Sequence, residues 1–225
     1  LIIARNCHKA VYNAAFLNRM QLYYVYPKII EEYGMAGAVT ADDLEEVIGK
    51  ILKEEPETEK GGIAGIVITS PTYDGIASDV LKLSETAHKY GIPLIVDQAH
   101  GAHFGLHPAY PESAVKEGAD IVIHSVHKTL SAPTQTALLH RNSERIGGKV
   151  LRKYLQIFQT SSPSYLLMAG IDDAVFRAER EGYERLDNIF LWRRDFLEKI
   201  KNCMYIRVCQ MTEPGKLIIS AAGSS

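Results

Sequence analysis

The 225-residue sequence predicts an α/β protein, with a mostly parallel central sheet flanked by helices and then the start of a smaller C-terminal α/β domain. Three observations carry this. Short β-branched runs alternate with helical patterns, in the order expected of a parallel sheet. Several of the runs lack polar alternation, as strands covered on both faces do. Four of the runs are followed by polar, titratable clusters, whereas their opposite ends carry ordinary Gly and Pro turns. In open α/β sheets, chemistry gathers at the carboxyl ends of the strands.

The elements follow in order. Strands are predicted at 1–4, 22–26, 63–69, 92–96 and 120–124. Thr40 followed by Asp42 and Asp43 resembles a capped helix start, and Leu44, Val47, Ile48, Ile51 and Leu52 continue at helical spacing. A second helix spans 78–90 on Val80, Leu81, Leu83 and Ala87, and Gly91 and Pro93 stop it. Helices dominate from Ser143, with candidates at 145–158, 165–181 and 183–201. Strands of the smaller domain are expected at 204–210 and 216–220, which divides the chain into a major domain at 1–182 and a linker helix with the start of a second domain at 183–225. The charged stretch 53–62 reads as a solvated connection, and the apolar opening and small-residue tail read as a portion of a longer protein.

Composition narrows the function classes. Lys and Arg number 25 against 27 Asp and Glu, so no global positive charge draws the chain to nucleic acid or anionic lipid. The longest apolar runs are too short to span a bilayer. Three scattered cysteines (Cys7, Cys203, Cys209) do not form a disulfide framework, which fits a cytoplasmic location.

The clusters after the strands hold the candidate chemistry. Asp97 ends a strand, where an acid is costly unless a cation meets it; it is read as the counter-charge of a protonated heterocycle or, more plainly, as a loop or capping Asp. Lys128 follows the next strand and is either a surface lysine or an amine that forms a Schiff base. Ser125 and His127 alternate with Val126, so both could face a phosphate. His100, His103 and His107, with His124 and His127 nearby, raise a metal site, but Gly101 and Gly105 interrupt any shared helical face and no metal is expected. His88 and His140 are read as structural or surface residues, and Asp74 as either a turn residue or a contact for a distal substrate group.

Six stretches then resemble one family. They are 5–9 (Arg-Asn-Cys-His-Lys), 71–75 (Pro-Thr-Tyr-Asp-Gly), 96–103 (Val-Asp-Gln-Ala-His-Gly-Ala-His), 125–130 (Ser-Val-His-Lys-Thr-Leu), 134–137 (Thr-Gln-Thr-Ala) and 160–165 (Thr-Ser-Ser-Pro-Ser-Tyr). In this order they resemble the major domain of the ornithine/lysine/arginine decarboxylases, from residue 1 to about 172. These are pyridoxal 5'-phosphate enzymes of the aspartate-aminotransferase fold. The resemblance implies decarboxylation of a basic amino acid (arginine, lysine or ornithine) in a homodimer or higher homo-oligomer with shared sites. It implies that Lys128 carries the cofactor, Asp97 pairs with the pyridinium nitrogen, His8 stacks on one ring face and Ala99 packs on the other. Ser125 and His127 would bind the phosphate, Thr160 would reach the phosphate of a neighbouring subunit, and His100 would lie beside the ring and, with the freed Lys128, is a candidate proton donor to Cα. Two departures stand out: Gln98 occupies a position where the family pattern has Glu, and the Gly/Ser-rich phosphate cup expected before Leu1 is not in the sequence.

Overall fold

The computed structural model describes residues 1–54 and 62–221, so most of the predicted solvated connection at 53–62 and the end of the tail lie outside the described residues. In chain order the elements are β1 (Ile2–Ala4), α1 (Lys9–Leu17), β2 (Tyr23–Val25), β3 (Ile29–Ile30), β4 (Met35–Ala36), α2 (Ala41–Glu54), β5 (Ile66–Thr69), α3 (Val80–Lys89), β6 (Leu94–Asp97), β7 (Ile121–His124), α4 (Val126–Thr129), β8 (Leu138–Arg141), α5 (Gly148–Phe158), α6 (Tyr165–Ile200), β9 (Arg207–Val208) and β10 (Ile219–Ser220). The six-stranded sheet runs β2-β1-β5-β6-β7-β8. Its first five strands are parallel, and β8 closes the edge antiparallel to β7. The predicted mostly parallel α/β sheet is present, and all five predicted strands are in it.

Period-2 alternation divides the sheet into two faces. Ile66, Ile68, Leu94, Val96 and Val122 face the packed core with Leu44, Ile48 and Ile51 of α2 and Val80, Leu83 and Ala87 of α3. Each aliphatic side chain fully buried there contributes about 2 kcal/mol. The alternate positions Val67, Ile95, Asp97 and Ile123 face a cleft instead. The register places Asp97 between Thr69 and Ile123, so the carboxylate is fixed by its neighbours on both sides.

At the amino end of β7, Asp120 is fully buried and ties the layers together. Its carboxylate accepts from Leu94 N at 2.8 Å, His88 Nε2 at 2.9 Å, Arg145 Nη1 at 3.3 Å and Ser143 Oγ. Burial alone would raise its pKa, but the bonds from Ser143, Leu94 and His88 outweigh burial and hold it below the ordinary carboxylate value. Asp120→Ala should therefore cost about 3 kcal/mol by orphaning these donors, measured by urea unfolding. The contribution is complete above the unfolded-state carboxylate pKa and is lost as pH falls through the lower folded value. The variant's stability should then fall less steeply than wild type on acidification.

The helical region corrects two expectations. The predicted helices at 165–181 and 183–201 are one 36-residue helix, α6, which crosses the expected 182/183 boundary without a break. Gly182 does not interrupt it; a Cβ there would lie 3.2 Å from Leu106 Cδ1, so the glycine serves close packing rather than a turn. The strands expected at 204–210 and 216–220 shorten to β9 and β10, two residues each, paired antiparallel. Arg193, buried in α6, anchors this segment by donating to the carbonyl of Lys216 and to Thr212 Oγ1 at 3.2 Å.

Candidate active site

A cleft of about 710 Å³ opens on the free face of the sheet. Asn6, His8, Asp97, Ala99, His100, Ser125 and Lys128 all line it, along with apolar residues of α1. Most of these residues follow the carboxyl ends of β1, β6 and β7, where the parallel topology leads each chain segment out of the sheet.

His8 is the N-cap of α1, and its Nδ1 accepts from Ala10 N at 3.2 Å, which orients the imidazole at the cleft mouth. This cap explains why α1 escaped the sequence reading, since Ser, Thr, Asp and Asn are the usual capping signals. Asp97 Oδ1 accepts from Ala99 N at 3.1 Å, so one carboxylate oxygen is already held. Lys128 lies on the single-turn helix α4, exposed to the cleft, with Nζ 3.2 Å from His100 Nε2. His100 packs edge-on against the Tyr73 ring. Burial, then the charges of Lys128 and Lys216, push its pKa down to about 4.

The structure does not gather every expected residue. Ser125 lines the cleft but His127 does not: its Nδ1 bonds Thr136 O at 2.8 Å. The expected alternation assumed a strand, whereas Val126–Thr129 is helical, and a helix turns residues two apart to different sides. Thr160 is exposed and outside the cleft, where its Oγ1 accepts from Ser162 N at 3.1 Å. Asp74 sits in the turn closed by Gly75 N on Thr72 O and does not line the cleft either. The three spaced imidazoles diverge: His100 faces the cleft, His103 meets Glu213 at 3.5 Å, and His107 meets Asp187 at 3.4 Å.

Gln98 points into the opposite face of the sheet, 1% exposed. Its Oε1 accepts from Ala114 N at 3.2 Å and bonds His124 Nε2 at 2.9 Å, and His124 Nδ1 meets His140 Nε2 at 3.1 Å. Burial first, then His140 and His103, push His124 down to about 4, and the neutral Gln98 amide meets both the Ala114 N–H and the His124 ring without placing a charge in this buried wall. The loop beyond is close-packed: a Cβ on Gly101 would meet Gln98 Cγ and Pro71 Cδ at 2.8 Å. Gly101→Ala should cost about 2 kcal/mol by overpacking, measured by thermal unfolding.

Sequence reasoning missed Lys216. Its Nζ donates to Tyr73 O at 2.7 Å and lies 3.4 Å from His100 Nδ1, across 116 residues of sequence. The one local signal was Gly75, where a Cβ would fall 2.8 Å from Lys216 Cγ. The Asp-Gly pair there reads from sequence as a turn or as a substrate contact, neither of which points to Lys216.

Residues 1–217 match the family model described as Orn/Lys/Arg decarboxylase, major domain. The chain belongs to this family. It is 41% identical over 175 residues to the Bacillus subtilis protein YaaO, covering 77% of this chain and 35% of that one. Against the arginine decarboxylase of the same species it is 30% identical over 230 residues, covering 98% of this chain and 45% of the relative. The chain thus spans less than half of either relative. Among solved structures, lysine decarboxylase A from Pseudomonas aeruginosa superposes with a TM-score of 0.77 at 20% identity, over 96% of this chain and 32% of that one. A lysine decarboxylase from Francisella novicida gives 0.74 at 24% identity, over 92% of this chain and 30% of that one. Both share its fold, the mostly parallel sheet with flanking helices.

Proposed function

We propose that the full-length protein decarboxylates a basic amino acid, arginine first, using pyridoxal 5'-phosphate held in this cleft. The observation that carries the reading is the convergence of Lys128, Asp97 and His8 on one cavity from three separate strand ends. The donor set suits the cofactor: a primary amine for its aldehyde, a carboxylate for its ring nitrogen, a flat imidazole for its ring face and a hydroxyl for its phosphate. Asn6 Oδ1 is buried in the same wall without a hydrogen-bond partner among the described residues, an acceptor awaiting a donor. Arginine is placed first because several relatives at 30–32% identity bear the name arginine decarboxylase.

Each residue then has a task. Lys128 would hold the cofactor through Nζ, its primary amine matching the cofactor's aldehyde. Asp97 holds a proton on the ring nitrogen. His8 and Ala99 would fix the ring plane from its two faces, and Ser125 would contribute to phosphate binding, whereas His127 is turned to Thr136 O. Bound there, the cofactor supplies a conjugated cation that takes up the electron pair left when carbon dioxide departs from Cα. His100 and the freed Lys128, side by side in the cleft, are the candidates to return a proton to Cα. Thr160, exposed and outside its own cleft, completes the phosphate site of a second copy of the chain, so the working unit is a homodimer or larger.

The test is product analysis of the full-length protein with arginine, lysine and ornithine supplied separately. Release of carbon dioxide and the matching amine, fastest from arginine, is expected. Formation of a keto acid without carbon dioxide would replace the reading with an aminotransferase.

A further inference from the structure

We propose that Lys216 is a positioning residue that fixes the tautomer of His100, so that the ring presents Nε2–H, a donor, to Lys128 Nζ. The inference rests on the reading of Lys128 as the nucleophile that takes up the cofactor.

His100 lies between two amines, with Lys216 Nζ 3.4 Å from Nδ1 and Lys128 Nζ 3.2 Å from Nε2. A neutral imidazole offers one N–H and one lone pair, while an ammonium offers donors only. Burial, the largest cause, together with the Lys216 cation lowers the pKa of the ring, which favours the neutral imidazole. Two ammonium groups would therefore leave one donor facing another. Every contact is satisfied when one lysine donates to the ring and the other accepts from it.

The surroundings decide which lysine donates. Lys216 Nζ also donates to Tyr73 O at 2.7 Å and lies 5.0 Å from the centroid of the Tyr73 ring, a carbonyl and a π-face that both favour a cation. Its backbone is held too: Arg193 and Thr212 Oγ1 both donate to the Lys216 carbonyl, and Gly75 leaves room for its stem. His100 is the hydrogen-bond partner of Lys128 Nζ. Lys216 thus donates to Nδ1, the proton resides on Nε2, and the ring faces Lys128 Nζ with a donor, which disfavours an ammonium there. A lysine attacks an aldehyde as the uncharged amine, so this arrangement favours attachment of the cofactor.

The test is solid-state ¹⁵N NMR of the cofactor-free, full-length protein labelled at histidine, with the His100 signals assigned by their loss in H100Q. Wild type should show a bare Nδ1 and a protonated Nε2. K216M keeps the aliphatic stem that packs on Gly75 and should lose this preference, and K216R, which can still donate, should restore it. K216M should also slow attachment of added pyridoxal phosphate at Lys128, trapped by borohydride, by about tenfold. A protonated Nδ1 in wild type, or an unchanged tautomer in K216M, would overturn the proposal. The NMR measurement needs no cofactor, so it decides the role of Lys216 by itself. Failure of wild type to attach cofactor at Lys128 would instead overturn the reading beneath it.

Discussion

Lys128→Ala in the full-length protein should reduce carbon dioxide release by at least about a thousandfold and leave no cofactor covalently attached after borohydride reduction. The size of the effect follows from chemistry that no other side chain at this position supplies. A carbonyl is captured reversibly by a primary amine with a free lone pair, so a methyl group ends the reaction at its first step. Arg in place of Lys128 should fare little better, because a guanidinium stays protonated and cannot act as a nucleophile. Lys128→Arg therefore separates charge from nucleophilicity at the same site. The fold should tolerate both changes, since Lys128 is exposed and, among the described residues, its Nζ bonds His100 alone. Peptide mapping of the trapped wild-type protein is the decisive measurement. A label on Lys216, whose amine contacts the other nitrogen of the same imidazole, would move the nucleophile and sink the assignment.

Much of this site could be read from sequence because a parallel sheet converts order along the chain into position. His8, Asp97 and Lys128 each follow a strand, and topology delivers all strand ends to one edge. Asp97 is placed most securely, since period-2 alternation assigns it to the face of Ile95. Reading failed wherever the local backbone departed from the assumed period. His127 was expected beside Ser125 on strand geometry, but the chain is already helical at Val126. The helices expected at 165–181 and 183–201 run together through Gly182, where contact with Leu106 suits the lack of a side chain. Lys216 lay beyond reach for another reason. No local pattern reports a contact between a C-terminal hairpin and a strand-end loop more than a hundred residues earlier, and only Gly75 bears its imprint. Tertiary contacts of this kind are settled by packing, to which periodicity is blind.

The second large effect is expected at Asp97. Asp97→Ala should keep the cofactor attached, because Lys128 makes that bond, yet lose about a thousandfold in turnover, equivalent to about 4 kcal/mol of transition-state stabilisation. The reasoning is electrostatic. Electron density gathers on the ring only while its nitrogen is protonated, and a carboxylate at hydrogen-bond distance favours that form. Asp97 suits the task because Ala99 N–H already holds Oδ1 and the register with Thr69 and Ile123 fixes the backbone beneath it. A preorganised charge stabilises the transition state without reorganising during reaction. Asp97→Asn sharpens the test: the amide oxygen can still accept from Ala99, so the loop is preserved while the negative charge is removed. Both variants should be slow, and the Asn variant should be as stable to heat as wild type. Wild-type turnover in either would remove Asp97 from the chemistry and leave it as a loop residue, whereas slow turnover confined to Asp97→Ala would trace the effect to lost loop geometry rather than lost charge.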